Sequence, residues 1–386
     1  MLLTLIIFIL VLSVLVFAHE FGHFFTARRF GVKAEEFGFG FPPRAVGWYK
    51  NRFGHWRRVV GDRSVESLAE STDENLHPAS YATIYSLNWL PIGGFVKIKG
   101  ENGEGKDDHD SFVVKSIGRR VIILAAGVIM NVVLAWFLLS LGYIFGLPQS
   151  SDTLGRGAIV SNQQVSVVQV ITGSVAEQAG LKEGDAILRI NNEIVGTETE
   201  LQDKVAASVG QEASILIKRG ETEETIKAIP TSKDGARATI GIVIMSSGQV
   251  RYPFLSAFWE GAKTTGWLTK EIIIAFVNLF KEIFSGRNVS DQFAGPVGIA
   301  NVTGQAARLG FTHLLQFMAL LSLNLAVLNI LPLPALDGGR ILFLLIEKIK
   351  GRPVRREVEA LIHNIGFLLL IALVIFITYK DVVKLF

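Results

Sequence analysis

The chain has 386 residues, of which 49% are hydrophobic and 19% charged, and a mean hydropathy of +0.40, too apolar for an ordinary soluble enzyme and too charged for a bare bundle of membrane spans. Its formal net charge of +3 is small for this length, so no nucleic-acid footprint is read from it. The hydropathy and charge together fit a membrane protein with an extramembrane domain, and the absence of cysteine excludes thiolate metal ligands, disulfides and a thiol nucleophile while leaving the redox compartment undetermined.

From Met1 to Ala18 there is no charged residue, which predicts a first membrane-spanning helix. The run lacks a basic start and leads into HEFGH instead of a small-residue cleavage site, so it reads as a retained span and not a signal peptide. On a helix His19 and His23 are one turn apart on one face and can converge on a metal ion, with Glu20 beside them to work on water, the HExxH arrangement of a zinc hydrolase. The plainer alternative is a pair of interfacial histidines on an anchor helix, but burying Glu20 near lipid then costs a few kcal/mol with nothing to offset it. Arg28 and Arg29 mark a cytoplasmic end by the positive-inside rule, which puts the N-terminus outside.

Residues 32–115 are mixed. FGFGFPP and TIYSLNWLPIGGFVKIKG read as strands and tight turns, either a small cytoplasmic sheet or strands that dip into the membrane; between them lies a polar stretch from Asn51 to Ser80. ENGEGKDDHDS, with Asp107, Asp108, His109 and Asp110, reads as a solvated turn, with a metal site as the alternative. Arg119 and Arg120 open a second span through Asn131, a polar group that should face other helices.

From Gln149 to Arg251 the composition is that of a soluble domain, with ten basic and thirteen acidic residues, a net of minus three. Alternating VSVVQVI and SILIKRG flank GSVAEQAGLKEGDAILRINNEIV, read as a short helix, a turn at Gly184 and Asp185, a strand and a corner at Asn191 and Asn192. At these residues the chain resembles a bacterial-type PDZ domain, which implies binding of an extended peptide or chain terminus by strand addition. The helical rhythm of Phe254 to Phe284 predicts an amphipathic helix at the outer interface or a partly inserted segment, and Gly295, Pro296 and Gly298 predict a break. The third span begins at FTHLL and is interrupted at Pro332 and Pro334. Lys348, Lys350, Arg352, Arg355 and Arg356 form a cytoplasmic turn, and IGFLLLIALVIFITY returns outside. The fold class expected is a polytopic α-helical membrane protein of about four transmembrane helices with a membrane-associated β-hairpin region. An α+β PDZ domain (149–251) is inserted between the second and third spans, dividing the membrane parts 1–148 and 252–386.

Two histidines need a third protein ligand. Thr26 and Arg29 stand where a longer soluble zinc motif would need Gly and His, so the best remaining candidate is Asp337 in NILPLPALDGG, in an unwound stretch at the depth of His19 and His23; a carboxylate capping the following helix is the alternative. Asn324 and Asn329 lie in the same apolar segment and either orient a substrate or pack helices. HEFGH, PIGGFVKI, the PDZ-like insert, GPVGIA and NILPLPALDGG, in that order, resemble the site-2 protease family of intramembrane zinc metalloproteases (peptidase family M50) in its bacterial branch, over nearly the whole chain. The resemblance implies zinc held by His19, His23 and Asp337, Glu20 as general base and acid, and substrate contacts at Asn324, Asn329 and a strand edge at Gly93, Gly94 and Phe95. It further implies transmembrane-segment substrates such as anti-sigma factors or remnant signal peptides, and a multi-pass protein of the cell inner membrane with the PDZ domain and both termini on the outer side. The chain departs from the best-known members in having one PDZ-like stretch where they have two, and in its polar segment 51–80. Other classes remain as alternatives, a metal transporter or a membrane-tethered PDZ scaffold without protease activity.

Overall fold

The computed structural model describes the chain except residues 1, 65–66, 69–72, 74, 80–81, 151–153, 156, 220–221, 232–238, 288–294 and 384–386, so parts of the 51–80 stretch and of DQFAGPVGIA lie outside the described residues. In chain order the elements are α1 (Leu2–Arg29), β1 (Ala34–Lys50), β2 (Trp56–Val59), β3 (Ile84–Ile98), α2 (Ile117–Phe145), β4 (Leu147–Ser150), β5 (Ile159–Val170), α3 (Val175–Gln178), β6 (Ala186–Ile190), β7 (Glu193–Ile194), α4 (Glu198–Ala207), β8 (Ala213–Arg219), β9 (Thr222–Ala228), β10 (Ile242–Arg251), α5 (Phe254–Phe284), α6 (Pro296–Leu309), α7 (Phe311–Ile330), α8 (Asp337–Lys350) and α9 (Arg356–Val383). They form two compact units, Met1–Leu139 with Ala262–Phe386, and Ser140–Gly261.

Among the described residues, α1, α2, α7 and α9 are long and apolar enough to cross a membrane. Small residues let the first three approach closely. A methyl group on Gly22 would lie 2.3 Å from Ala126 O, which brings the backbones of α1 and α2 together. Ser322 Oγ donates to Asn131 O at 2.7 Å and ties α7 to α2. The third span stops at Ile330, where Pro332 and Pro334 end the helix, and the chain becomes helical again as α8, closed at Gly351 in the left-handed region (φ 68°). Arg120 of α2 pairs with Glu347 of α8.

The sheet of this unit has the order β2-β1-β3. Its register is doubled: Phe37 faces Val96 and also Tyr85, and Phe39 faces Gly94 and also Leu87, so the first half of β1 lies between two limbs of β3. The limb at 93–98 therefore has one edge on β1, and no strand among the described residues pairs with its other edge. Arg44, buried at the bend of β1, is neutralised by Glu36 and donates to the carbonyls of Gly61 and Arg63, which satisfies a charge that burial would otherwise penalise. This sheet packs on α1. Phe37 stacks on Phe24 with centroids 4.6 Å apart, Ser13 Oγ donates to Pro91 O at 3.1 Å, and Gly93 N donates to Ser13 Oγ at 3.3 Å. Ser13 lies near the midpoint of α1, so the tip of the hairpin reaches the middle of a helix able to span the membrane. The acidic loop before α2 is a closed turn: Lys99 Nζ reaches Asp108 at 3.0 Å and Asp110 at 2.8 Å. Burial works against the charge on Lys99, but the two carboxylates hold its ammonium above the usual value.

The second unit runs in sequence from the last residues of α2 to the first turns of α5. Its sheet runs β4-β10-β5-β6-β8-β9, with β7 on β6, over a core that includes Val165, Ile187, Leu201, Ile215 and Ile217. Ser174 and Thr197 cap α3 and α4 by accepting from the N–H of Glu177 and Glu200, and those glutamates reach back to Gly173 N and Gly196 N. Asn191 and Asn192, both at positive φ, make the two-residue β6–β7 turn that the sequence predicts. Asp185, 1% exposed, is clamped by Arg219 at 2.7 Å through both oxygens and by Lys182 N at 2.8 Å. α5 is one continuous helix that exposes Trp259, Trp267 and Ile274, and it is not among the four candidate spans.

Candidate metal centre

His19 and His23 sit on the α1 face turned to α2, and the LDGG segment that opens α8 brings Asp337 against them. His19 Nε2 lies 3.0 Å and His23 Nε2 3.4 Å from Asp337 Oδ2, and the two Nε2 atoms are 3.1 Å apart. Among the described residues these three form the one cluster of histidine and acidic groups able to hold a metal ion, so the alternative at Asp107–Asp110 is not formed. Asp337 Oδ2 is buried and has no hydrogen-bond geometry to either ring. Three donor atoms converging on one point, one of them a buried carboxylate oxygen without a hydrogen bond, fit a divalent cation bound by nitrogen and oxygen.

The rings are held from behind. His23 Nδ1–H donates to Ile123 O at 2.8 Å, which leaves Nε2 with its lone pair toward the cluster. Asn131 Nδ2 is placed 3.3 Å from His19 Nδ1 while Asn131 Oδ1 has no partner. Exchanging the two ends of this amide, which are equal in size, lets Oδ1 accept from His19 Nδ1–H and frees Nε2 in the same way. Gly127 completes the seat: a methyl there would lie 2.3 Å from His23 Nε2 and 2.7 Å from His19 Cε1. The sequence leaves Asn131 open between a structural and a catalytic role and gives no signal for Gly127, because AAG within an apolar run reads as ordinary small residues between helices.

Glu20 Oε2 accepts from Val96 N at 3.1 Å, on the unpaired side of the β3 limb. A cavity of about 250 Å³ is lined by Val16, His19, Glu20, Asn131, Asn329 and Asp337, with Leu325, Ala335 and Leu336 completing its wall. Asn329 thus faces the cluster. Asn324 does not, since its Nδ2 donates to Leu320 O on its own helix at 2.8 Å. Gly93 (φ 74°) allows β3 to lie on α1, where an added methyl would meet Val16 at 3.0 Å, and Gly94 allows it to lie close to β1, where a methyl would meet Gly38 O at 2.9 Å. The Phe95 ring turns to the other side, over Gly38 and into a separate cavity with Glu36 and Arg44.

An HExxH helix and an LDGG loop closing on one point inside a bundle of apolar helices define a membrane-embedded metallopeptidase. The chain belongs to peptidase family M50, whose profile matches residues 7–58 and 77–373; the unmatched 59–76 fall in the polar stretch noted above. It is 31% identical to the regulator of sigma-W protease RasP of Bacillus subtilis, with 99% of each chain covered. It is also 30% identical to the zinc metalloprotease RasP of Oceanobacillus iheyensis, with 99% of each covered, and 27% identical to that of Geobacillus kaustophilus, with 99% and 98% covered. Among solved structures, the PDZ domain of an SdrC-like protein from Listeria monocytogenes matches 24% of this chain and 92% of its own, at 23% identity and a TM-score of 0.20.

Proposed function

We propose that this chain is an intramembrane zinc metalloprotease that cleaves transmembrane segments of membrane proteins, with zinc held by His19, His23 and Asp337 and Glu20 as the proton carrier. The observation that carries the reading is the convergence of those three donor groups beside Glu20 within apolar helices. Zinc, when bound, supplies the Lewis acidity that makes water a nucleophile and polarises the scissile carbonyl. Glu20 accepts a proton from the attacking water and passes it to the leaving amide nitrogen as the C–N bond breaks. Asn329, on the cavity wall, orients the substrate backbone or its developing oxyanion. Asn324 can join it only by turning from Leu320 O.

A transmembrane substrate must unwind, because a helical amide is screened by its own turns. The edge of the β3 limb around Gly93, Gly94 and Phe95, with which no described strand pairs, can hold it extended by strand addition. The PDZ-like domain would bind a peptide or chain terminus. The name of the Bacillus subtilis relative, regulator of sigma-W protease, and the family likeness point to anti-sigma factors and remnant signal peptides as substrate classes. The basic clusters support an orientation in the cytoplasmic membrane with the PDZ-like domain and both termini on the outer side.

The test is cleavage of a single-span substrate by purified protein in detergent, with products mapped by mass spectrometry. Cuts should fall in the apolar segment and stop on chelation. Glu20→Gln should lower the rate by about 10²–10⁴-fold while keeping one equivalent of zinc. A wild type that holds zinc yet cuts no tested span overturns the protease reading.

A further inference from the structure

We propose that His363 of α9 is a positioning residue for the metal centre, acting through the backbone of the loop that carries Asp337; the proposal rests on the metal-centre reading above. The loop between α7 and α8 holds itself together through Leu333 N to Leu331 O (2.7 Å), Leu336 N to Leu333 O (3.3 Å) and Gly339 N to Leu336 O (3.1 Å). Ala335 is different. It is a non-glycine residue in the left-handed region, at φ 71°, and its N–H leaves the loop to donate to His363 Nδ1 at 2.9 Å. Asp337 follows two residues later, so the φ of Ala335 sets the direction in which the chain delivers the carboxylate to His19 and His23.

The contact with α9 has a second point. Gly366, three residues from His363 and on the same face, lies so close to Pro334 that a methyl there would fall 2.2 Å from Pro334 Cβ. Gly366 is also the buried residue of α9, whose other described side chains are largely exposed. The last span therefore meets this loop through an acceptor and a gap, one turn apart. An acceptor at Nδ1 places the ring proton on Nε2, so a neutral imidazole of one tautomer fits the role. The competing account is packing, because the His363 ring also lies 5.5 Å from that of Phe343.

The two accounts separate with paired variants of the full-length zinc-loaded protein. His363→Phe keeps a ring for Phe343 and removes the acceptor; His363→Asn removes the ring and keeps an acceptor near the position of Nδ1. The first readout is the rate at which zinc is lost to a chelator, and the second is kcat and KM on a single-span substrate. If His363 positions the loop, His363→Phe loses zinc about 10- to 100-fold faster and lowers kcat with KM within about twofold, while His363→Asn stays within about threefold of wild type. Thermal unfolding of the metal-free protein should be alike in all three. Gly366→Ala, which leaves His363 in place but pushes α9 from Pro334, should also hasten zinc loss, and serves if His363→Phe fails to fold. Zinc loss at the wild-type rate in His363→Phe, or in Gly366→Ala where that protein is the one that folds, overturns the role. So does a His363→Asn protein as impaired as His363→Phe. A wild type that takes up no zinc overturns the metal-centre reading itself, and this role with it.

Discussion

Gly127 stands where a single added methyl meets both imidazoles, 2.3 Å from His23 Nε2 and 2.7 Å from His19 Cε1. Two effects oppose each other in Gly127→Ala. Alanine stabilises a helix interior by about 0.5–1 kcal/mol over glycine. Overpacking costs about 1–3 kcal/mol and here falls on the atoms that would face the metal. The second should win at the site and the first in the apoprotein: zinc affinity should fall by roughly tenfold or more, while the melting temperature of the metal-free protein holds or rises. Isothermal titration with zinc and a melt of the apoprotein check the two halves. HEFGH and Asp337 were legible in the sequence because their chemistry is local or fixed by residue type. Gly127 was not, since what forbids a side chain there belongs to another helix. Asn131 was half legible, as a polar group needing a partner, without the identity of that partner.

Between elements, the contact of β3 with α1 sets where a substrate strand would be held. Ser13 joins them by two bonds, to Pro91 O and from Gly93 N, and is 3% exposed. Ser13→Ala leaves a carbonyl and an N–H without partners, a loss of about 1–3 kcal/mol. Because Ser13 touches neither the metal ligands nor Glu20 by any hydrogen bond, the cost should appear as a KM raised by about tenfold with zinc content unchanged; cleavage kinetics with metal analysis test this. Strands on either side of the polar stretch were readable from Gly, Pro and β-branched residues, but their doubled register was not, because each limb alternates equally well against either neighbour. In the other unit, Asp185 and Arg219 bind the start of β6 to the end of β8. Burial pushes the Asp185 carboxyl up, but Arg219 and the Lys182 N–H outweigh it and hold it below its usual value. A carboxyl lowered by folding contributes stability above the unfolded value of about 3.9, and that contribution is lost as pH falls through the folded value. Unfolding of the excised 140–261 domain should therefore show wild type losing stability on acidification below about pH 4, and Asp185→Asn, weaker at neutral pH, losing less over the same range.

At the scale of the whole chain, the four long apolar helices are a property of composition, which is why they were readable before any fold. What composition could not supply is the convergence of α1, α2 and the α7–α8 break, which depends on close approaches at Gly22, Gly127 and Gly338. The orientation proposed above rests on charge. Arg28 and Arg29 end α1, Arg119 and Arg120 lie in the first turn of α2, and Lys348, Lys350, Arg352, Arg355 and Arg356 lie in or beside the α8–α9 turn. By the positive-inside rule all of these would share one side, with the domain between α2 and α7 on the other. The chain has no cysteine, so a single introduced thiol reports without background. Glu183, exposed in the PDZ-like domain, and Arg352, exposed in the α8–α9 turn, are suitable positions. In intact cells or spheroplasts a membrane-impermeant thiol reagent should label Glu183→Cys, and should label Arg352→Cys only after permeabilisation. Labelling in the reverse order would invert the topology. It would also put the PDZ-like domain on the cytoplasmic face.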